Sequence, residues 1–259
     1  MFESLYIGAT GMQAQQTNLD VIANNLANVN TSGFKKSKVN FEELMYKTMT
    51  STNGIQGPLG KPQYIGIGSA VATTSKVYSQ GGLKNTTNQL DVAIQGDGLF
   101  EVQQPDGSYA YTRNGAFHKN IEGYLTNSNG YLLMPLIQVP SDATDITIAP
   151  DGNVSVKVPS EGSPINVGQI QLANFTNPEA LTPLGDNLYI PNKDTGVAYY
   201  AAPSANGFGG LSQGYLEGSN VKLIDELLGL ILTQRAYEVN SRVVQASDQM
   251  LGMANNLRK

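Results

Sequence analysis

The chain has 259 residues, no cysteine, a single histidine and a formal net charge of −5 at pH 7. This length suits one large domain or two modest ones, each with its own core. The absence of cysteine excludes disulfides, thiolate metal sites and cysteine nucleophiles, and one histidine cannot form a multi-histidine metal centre. A net negative chain repels nucleic acid and anionic lipid at long range, so no nucleic-acid partner is expected.

Charged residues make up 14% of the chain, well below the roughly 25% of ordinary soluble domains. Such a weakly charged surface suits a protein whose faces contact copies of itself. The densest apolar run, from Leu223 to Leu232, contains Asp225 and Glu226 and is shorter than a membrane span, so no membrane insertion is expected. The N-terminus lacks the basic flank and cleavage site of a secretory signal, so we expect any export to remove nothing.

The first predicted element is an N-terminal helix from Leu5 to Val29, where apolar or small residues recur every three or four positions. The pattern stops before Gly33, which can adopt the positive φ of a helix C-terminus. Three asparagines put amides on one side of this helix, where they either hydrogen-bond across subunits or mark a helix that frays into a loop. The assembly residues expected on this helix are Leu5, Met12, Leu19, Ile22, Leu26, Asn24, Asn25 and Asn28.

The segment after residue 45 differs in composition from the helix before it. Residues 46–70, and above all Thr50 to Gly68, are rich in Gly, Ser, Thr and Pro and predict a loop. Pro58 and Pro62 fix φ at two points, and the glycines permit tight corners. We therefore expect a compact tongue rather than a floppy linker.

From residue 71 to 215 the sequence consists of short alternating runs that end in turn pairs such as Asn114-Gly115 and Asp151-Gly152. This pattern predicts a central antiparallel β-rich domain, built as a twisted sheet or a partly closed barrel. The expected strands include Asp91–Ile94, Leu99–Gln103, Tyr109–Thr112, Tyr124–Thr126, Ile146–Ala149 and Val154–Val158.

The C-terminal segment, residues 216–259, has the most regular apolar spacing and predicts one helix from Val221 to Leu257, about 55 Å long. Ser219 or Asn220 is expected to cap its start. Arg235 and Glu238 are three residues apart and can form an ion pair along the helix. The assembly residues expected here are Leu228, Leu232, Arg235, Ala236, Val239, Val243, Ala246, Met250, Met253 and Leu257.

The two apolar stripes lie far apart in a chain whose middle is strand-like. The alternative is that each packs on its own domain as an ordinary amphipathic helix. Because no other helices are predicted, we expect the stripes to pair with each other as a coiled coil and then with neighbouring subunits. The predicted fold class is α+β, divided into an N-terminal helix at 1–45, a loop segment at 46–70, a β-rich domain at 71–215 and a coiled-coil helix at 216–259.

Candidate catalytic and cofactor motifs are incomplete. Gly60-Lys61-Pro62 lacks the Ser or Thr that follows the lysine of a phosphate loop. A calcium loop starting at Asp151 would require glycine where Val156 stands. His118 lies on strand-like sequence with no serine in a nucleophile context. No catalytic, metal or cofactor-binding residue is predicted.

Residues 24–35 run from Asn24-Asn25-Leu26 to Gly33-Phe34-Lys35 and resemble the signature of the flagellar basal-body rod and hook family. The blocks Tyr111–Phe117, Gln213–Val221 and Gln234–Glu238 are similar to those of its distal-rod members, so the resemblance covers nearly the whole chain. It implies a structural subunit, not an enzyme, that polymerises into the distal rod, the drive shaft transmitting motor torque to the hook. It also implies an inner coiled-coil tube of terminal helices and an outer β layer.

The resemblance implies further copies of the chain, other rod and hook proteins, the rings around the rod and the flagellar export apparatus as partners. It implies a location in the periplasm-spanning rod of the basal body. A proximal rod subunit is the alternative within the family, because the stretch from about Thr48 to Gly68 is short beside the distal-rod pattern. The alternative of another class is a secreted β-rich enzyme acting on carbohydrate through carboxylates such as Asp91 and Asp97, although nothing marks a raised-pKa acid beside an ionised partner.

Overall fold

The computed structural model describes residues 2–49, 63–159 and 163–256. Two long helices, α1 (Phe2–Ala27) and α2 (Leu223–Asn256), flank a region of short strands. The predicted α+β class, with a helix near each end and an antiparallel β-rich middle, is therefore confirmed. Gly33 has a φ of 72°, so the predicted left-handed residue after the first helix is also confirmed.

The strands follow one another in short segments between the helices. They are β1 (Ser37–Glu43), β2 (Tyr46–Met49), β3 (Gln63–Gly66), β4 (Ser69–Lys76), β5 (Leu83–Asn85), β6 (Val92–Gln95), β7 (Phe100–Gln103), β8 (Tyr109–Thr112), β9 (His118–Lys119), β10 (Leu125–Thr126), β11 (Leu132–Met134), β12 (Asp145–Ile148), β13 (Asn153–Lys157), β14 (Ile165–Gln169), β15 (Leu172–Asn174), β16 (Thr182–Gly185), β17 (Leu188–Ile190), β18 (Tyr199–Ala201), β19 (Gly210–Gln213) and β20 (Tyr215–Glu217). A 3-10 turn covers Pro178–Ala180.

The largest sheet has seven strands in the order β16-β17-β8-β7-β11-β10-β9, and neighbouring strands in it are antiparallel. A three-stranded sheet has the order β12-β13-β14 and is antiparallel too. Two-stranded pairs join β1 to β4, β2 to β3, β5 to β20, β6 to β19 and β15 to β18. The strands expected from alternation coincide with β6, β7, β8, β10, β12 and β13 to within a residue or two at each end.

The chain divides into two compact units. The helical unit takes its described residues from 1–27, 37–75 and 222–259, and it contains α1, α2, β1 to β3 and most of β4. The β unit takes its described residues from 28–36 and 76–221 and contains the other strands. The four-part division expected from composition stays a prediction.

The loop predicted for residues 46–70 is wrong at its two ends. β2 and β3 pair there in antiparallel register, with Thr48 opposite Tyr64 and Lys47 opposite Ile65. Aromatic and β-branched residues favour strands, and the Gly- and Pro-rich composition of the whole segment concealed these two short runs. Residues 50–62, which would form most of the tongue, lie outside the described residues.

The core of the β unit is made by the inward-facing residues of its short strands. Val92, Ile94 and Phe100 are fully buried, and the ring of Phe100 meets that of Phe117 edge to face, with centroids 5.0 Å apart. Burying one such side chain contributes about 1.5–3 kcal/mol. This core fixes the positions of the strand ends and connecting segments, where the charged residues described below are found.

Candidate assembly site

Within the helical unit, α1 and α2 lie side by side and run antiparallel. Asn18 Nδ2 donates a hydrogen bond to Thr233 Oγ1 at 2.9 Å. Further along α1, a Cβ added at Gly229 would lie 3.5 Å from Ile22 Cδ1, and towards its start a Cβ added at Gly8 would lie 2.7 Å from Val244 Cγ2. The missing side chain at Gly8 therefore lets the two helices approach closely. We call this line of contact the seam.

Asn25 connects three elements of the helical unit. Its Nδ2 donates to the Ser37 carbonyl oxygen at 2.9 Å and to Glu226 Oε2 at 3.2 Å, and its Oδ1 accepts from the Ser37 N–H at 2.8 Å. The residue is only 1% exposed. The amide predicted to bond across subunits is thus already bonded within its own chain, to the start of β1 and to α2.

Most of the apolar stripe predicted on α2 lies outside the contact with α1. Glu226, Thr233 and Asn240 of α2 contact α1, are polar and lie seven residues apart, and Gly229 and Val244 contact α1 as well. Val239 precedes Asn240 by one residue, which is about 100° around the helix. The two helices therefore meet through a seam that combines polar, small and apolar residues, and the pairing of the two predicted stripes stays a prediction.

Most of the large stripe residues on α2 are exposed in the single chain. Leu232 is 70% exposed and Val243 is 42% exposed. The exposed predicted residues of α2, which we call the α2 stripe together with the half-buried Ala236, are Leu228, Leu232, Arg235, Val239, Val243, Ala246, Met250 and Met253. Leu257 lies outside the described residues.

The predicted assembly residues of α1 are less exposed than those of α2. Ile22 and Asn25 are buried, and Asn24 is exposed. The half-buried ones are Leu5, Met12, Leu19, Leu26 and Asn28. Asn28 lies just beyond the last helical residue, where its Oδ1 accepts a hydrogen bond from Thr31 Oγ1 at 3.1 Å.

The predicted ion pair between Arg235 and Glu238 is present, with Arg235 Nη1 2.8 Å from Glu238 Oε2. Both side chains are exposed, so the pair contributes only about 0.3–0.5 kcal/mol to the helix. Within the described residues, the two candidates for the cap of α2 bond to groups outside this helix. Ser219 Oγ accepts from the Val221 N–H at 3.2 Å, and Asn220 Oδ1 accepts from the Lys36 N–H at 2.8 Å while its Nδ2 donates to the Val77 carbonyl oxygen.

Three charged residues from distant parts of the sequence meet in the β unit. Glu217 Oε1 accepts from Lys35 Nζ at 2.8 Å, and Glu217 Oε2 accepts from Arg113 Nε at 2.5 Å. All three side chains are almost completely buried. Each comes from one of the blocks that resemble the rod and hook family, so these blocks converge on a single cluster, which we call the ion cluster.

Backbone groups complete the ion cluster. The Gly81 N–H donates to Glu217 Oε1 at 2.7 Å, and Lys35 Nζ donates to the Ser79 carbonyl oxygen at 2.8 Å. The guanidinium of Arg113 donates to the carbonyl oxygens of Gly98, Ile94 and Gly96. Because a buried charge is costly unless it is paired and hydrogen-bonded, these partners are what make the cluster tolerable.

Burial and the neighbouring charges together set the pKa values of Glu217 and Lys35. Burial by itself raises the pKa of Glu217, but the charges of Arg113 and Lys35 outweigh burial and hold this pKa below its ordinary value. Burial lowers the pKa of Lys35, and the charge of Glu217 offsets only part of that effect. Glu217 is therefore firmly ionised, whereas the positive charge of Lys35 is incompletely compensated.

Gly33 shows why its block needs a glycine. Its N–H donates to the Glu217 carbonyl oxygen at 2.8 Å, and a Cβ at this position would lie 2.6 Å from the Asn114 nitrogen. Both the positive φ and the close approach exclude a side chain. Sequence reasoning did not identify the roles of Lys35, Arg113 and Glu217, although opposite charges in three otherwise weakly charged blocks were a usable signal.

The residues considered for other chemistry do not form a site. Asp91 is buried and accepts a hydrogen bond from Asn88 Nδ2 at 2.9 Å, whereas Asp97 and His118 are exposed. Among residues 2–49, 63–159 and 163–256, no group of three or more His, Cys, Asp or Glu side chains could hold a metal ion. In the same ranges, no helix is long and apolar enough to cross a membrane.

Three family models match separate parts of the chain. Residues 5–35 match the flagella basal body rod protein model, and residues 93–156 match the D1 domain of the flagellar hook protein FlgE/F/G. Residues 212–257 match the C-terminal model of the flagellar basal body rod FlgEFG proteins. The first and third matches cover most of α1 and α2, and the second covers the middle of the β unit.

Individual relatives extend the similarity to the full length. The flagellar basal-body rod protein FlgG of Buchnera aphidicola subsp. Schizaphis graminum is 45% identical over 99% of this chain and 100% of its own. FlgG of Bacillus subtilis is 39% identical, and the flagellar hook-basal body complex protein FlhP of the same organism is 29% identical, both over the full length of both chains. The chain belongs to the FlgG family of flagellar basal-body rod proteins.

Proposed function

We propose that this chain is a structural subunit that polymerises into the distal rod of the bacterial flagellum and transmits motor torque to the hook. The observation that carries the proposal is the α2 stripe, whose large apolar residues are exposed in the single chain. The full-length similarity to FlgG proteins supports the same role. Of its two relatives from Bacillus subtilis, the chain is more identical to FlgG than to FlhP, which favours a rod subunit of the FlgG type over another hook-basal body component.

The two helices have separate tasks in this proposal. The seam holds α1 and α2 together within one subunit, and we propose that they form a coiled coil. The α2 stripe then packs against neighbouring subunits. Its six large apolar residues are already partly covered, so each would contribute roughly 1 kcal/mol on burial, or about 6 kcal/mol per contact before the entropic cost of association.

The proposed binding partners follow from the family of the chain and from the place of the rod within the flagellum. We propose further copies of this chain as the principal partner, with other rod and hook proteins at the two ends of the polymer. We also propose contacts with the rings that surround the rod and with the flagellar export apparatus, and a location in the periplasm-spanning rod. No nucleic-acid partner and no membrane insertion are proposed. No catalytic role is proposed, and no observation on the described residues favours the proximal-rod or carbohydrate-enzyme alternative.

A single charge in the α2 stripe tests this role. Val243→Asp places a carboxylate where the proposed contact is apolar, at a cost of several kcal/mol per interface that is repeated along the polymer. We expect the purified variant to remain in the supernatant at concentrations where the wild-type chain sediments as filaments. Gln245→Asp is the matched control, because Gln245 is exposed on α2 but lies away from the stripe and the seam.

The far-ultraviolet circular dichroism of both variants should retain the strand signal of the wild-type monomer. Filaments of Val243→Asp at the wild-type concentration would remove the α2 stripe from the assembly contact. Loss of the strand signal in Val243→Asp would instead assign the stripe to the core of the subunit.

A further inference from the structure

The β unit contains a cavity of about 250 Å³ beside the ion cluster, which we call the Tyr78 cavity. Its polar lining includes Lys35, Arg113 and Tyr78, and its apolar lining includes Leu99 and Phe175. Asp97 also lines the cavity and is exposed, so the cavity is reachable from solvent. A concave site with a few convergent polar groups on an apolar wall is the usual form of a small-ligand site.

Three residues of this lining keep hydrogen-bond donors that have no acceptor within the described part of the chain. The Tyr78 hydroxyl is buried and has no hydrogen-bond partner in the part of the chain that the structure describes. Within the same part, Arg113 uses four of its five N–H groups and Lys35 uses two of its three. These three donor groups belong to residues that line one cavity, and an acceptor with at least two lone-pair directions that entered it would satisfy them.

The charges beside the cavity are also unbalanced. Lys35 and Arg113 are both buried, and Glu217 is the one buried anion that pairs with them. Asp97 is exposed, so solvent screens its charge, and it has the smallest effect among the groups that shift the pKa of Lys35. The buried cluster thus carries one positive charge in excess, which favours an anionic acceptor over a neutral one.

We propose that the Tyr78 cavity binds a small carboxylate. The carboxylate oxygens accept from the Tyr78 hydroxyl and from the remaining N–H groups of Lys35 and Arg113, and a short alkyl stem contacts Leu99 and Phe175. Two sources have this chemistry: a free monocarboxylate of two to four carbons, and the side chain of an Asp or Glu from a second copy of this chain. The site is additional to the proposed assembly through the α2 stripe and does not depend on it.

Propionate is the probe for the free ligand. The full chain, dilute and monomeric, is heated in increasing sodium propionate, with sodium chloride added to hold the ionic strength constant and propionamide as the neutral isostere. Binding to the folded chain should raise the midpoint of thermal unfolding saturably with propionate but not with propionamide. A response to propionate equal to that of chloride or propionamide would overturn the proposal.

Tyr78→Phe removes the hydroxyl and keeps the ring. Because that hydroxyl lacks a partner, the variant should be at least as stable as the wild type without propionate. Its dissociation constant for propionate should rise about tenfold, the effect of losing one hydrogen bond to a charged group. Tyr109→Phe, which alters an exposed tyrosine of β8, should respond as the wild type does. An unchanged propionate response in Tyr78→Phe would also overturn the proposal.

The assembly of the chain distinguishes the two sources. If a neighbouring subunit supplies the carboxylate, propionate and Tyr78→Phe should each raise the concentration needed for sedimentable filaments. If the ligand is a free monocarboxylate, that concentration should stay the same while the saturable thermal shift persists. A chain that shows the shift but never forms filaments would refute the proposed polymer and leave the carboxylate site intact.

Discussion

Removing the charge of Glu217 should destabilise the β unit far more than removing an exposed carboxylate. Its two carboxylate oxygens lie 2.8 Å from Lys35 Nζ and 2.5 Å from Arg113 Nε, and its side chain is fully buried. Glu217→Gln preserves the shape but leaves two buried cations without their anion. It also turns an amide NH₂ towards groups that can only donate. Breaking one side of a buried ion pair in this way costs about 3–5 kcal/mol.

Urea unfolding of the monomer, followed by circular dichroism, measures this loss. With a slope of about 3 kcal/mol per molar urea, the expected loss moves the midpoint of the β unit down by about 1 M or more. Glu122→Gln is the matched control, since Glu122 is exposed. Its free energy of unfolding should stay within about 0.5 kcal/mol of the wild type.

A double-mutant cycle with Lys35→Met separates the ion pair from general damage to the core. Once Lys35 has lost its charge, removal of the Glu217 charge leaves one uncompensated cation instead of two. The two substitutions together should therefore cost at least about 1 kcal/mol less than the sum of the single losses. Equal midpoints for Glu217→Gln and Glu122→Gln, or strict additivity in the cycle, would refute the role assigned to the ion cluster.

Four further predictions concern other parts of the chain. The pKa of Glu217 is held below its ordinary 4.5, so the stability that its charge contributes is present above pH 4.5 and is lost as the pH falls through the lowered pKa. The urea midpoint of the wild type should therefore fall as the pH is lowered below 4.5, and that of Glu217→Gln should fall less steeply. Asn25→Ala removes the amide that bonds Glu226 and the backbone of β1, and it should lower the free energy of unfolding of the helical unit in urea by about 2–3 kcal/mol. An unchanged free energy of unfolding would show that these bonds are dispensable. Gly8→Leu forces a side chain against Val244 and should separate the helices, seen as faster amide hydrogen exchange in α1; unchanged exchange would contradict the close seam. Limited proteolysis of dilute monomer should trim α1 and α2, because two marginal helices are held mainly by each other, and should leave the buried Lys35 with the β unit; helices as resistant as the middle of the chain would contradict this.

The sequence predicts the elements better than it predicts their contacts. Apolar spacing locates both helices, and the alternation and turn pairs locate β8 and its neighbours, because these periodicities reflect which side of an element is covered. The same logic does not locate the seam between α1 and α2. An apolar position is one that becomes buried somewhere, and the sequence does not distinguish burial within a subunit from burial between subunits. Val239 and Asn240 are adjacent in sequence, yet the polar residue is the one that faces α1.

The ion cluster was not predicted for a different reason. Lys35, Arg113 and Glu217 are separated by 78 and 104 positions, and although each is the one charged residue of its block, no local pattern shows which charges pair across such distances. Each looks like an ordinary surface charge in its own segment. The three meet only in the folded β unit, where Arg113 follows β8 and Glu217 ends β20.

The seam aligns the two helices of one subunit through directional polar bonds, whereas the α2 stripe offers non-directional apolar contacts to neighbouring subunits. The bonds of Asn25 to Glu226 and to Ser37 are directional, and in any other register the buried amide and carboxylate would lose their partners. Such a contact contributes little net stability, because desolvation offsets most of its attraction, but it strongly disfavours a shifted alignment of the helices. Apolar contacts have no such preference, since their strength depends on the area removed from water. A subunit whose helices are aligned by polar bonds can therefore present a large apolar stripe to its neighbours without that stripe competing for the partner helix in its own chain.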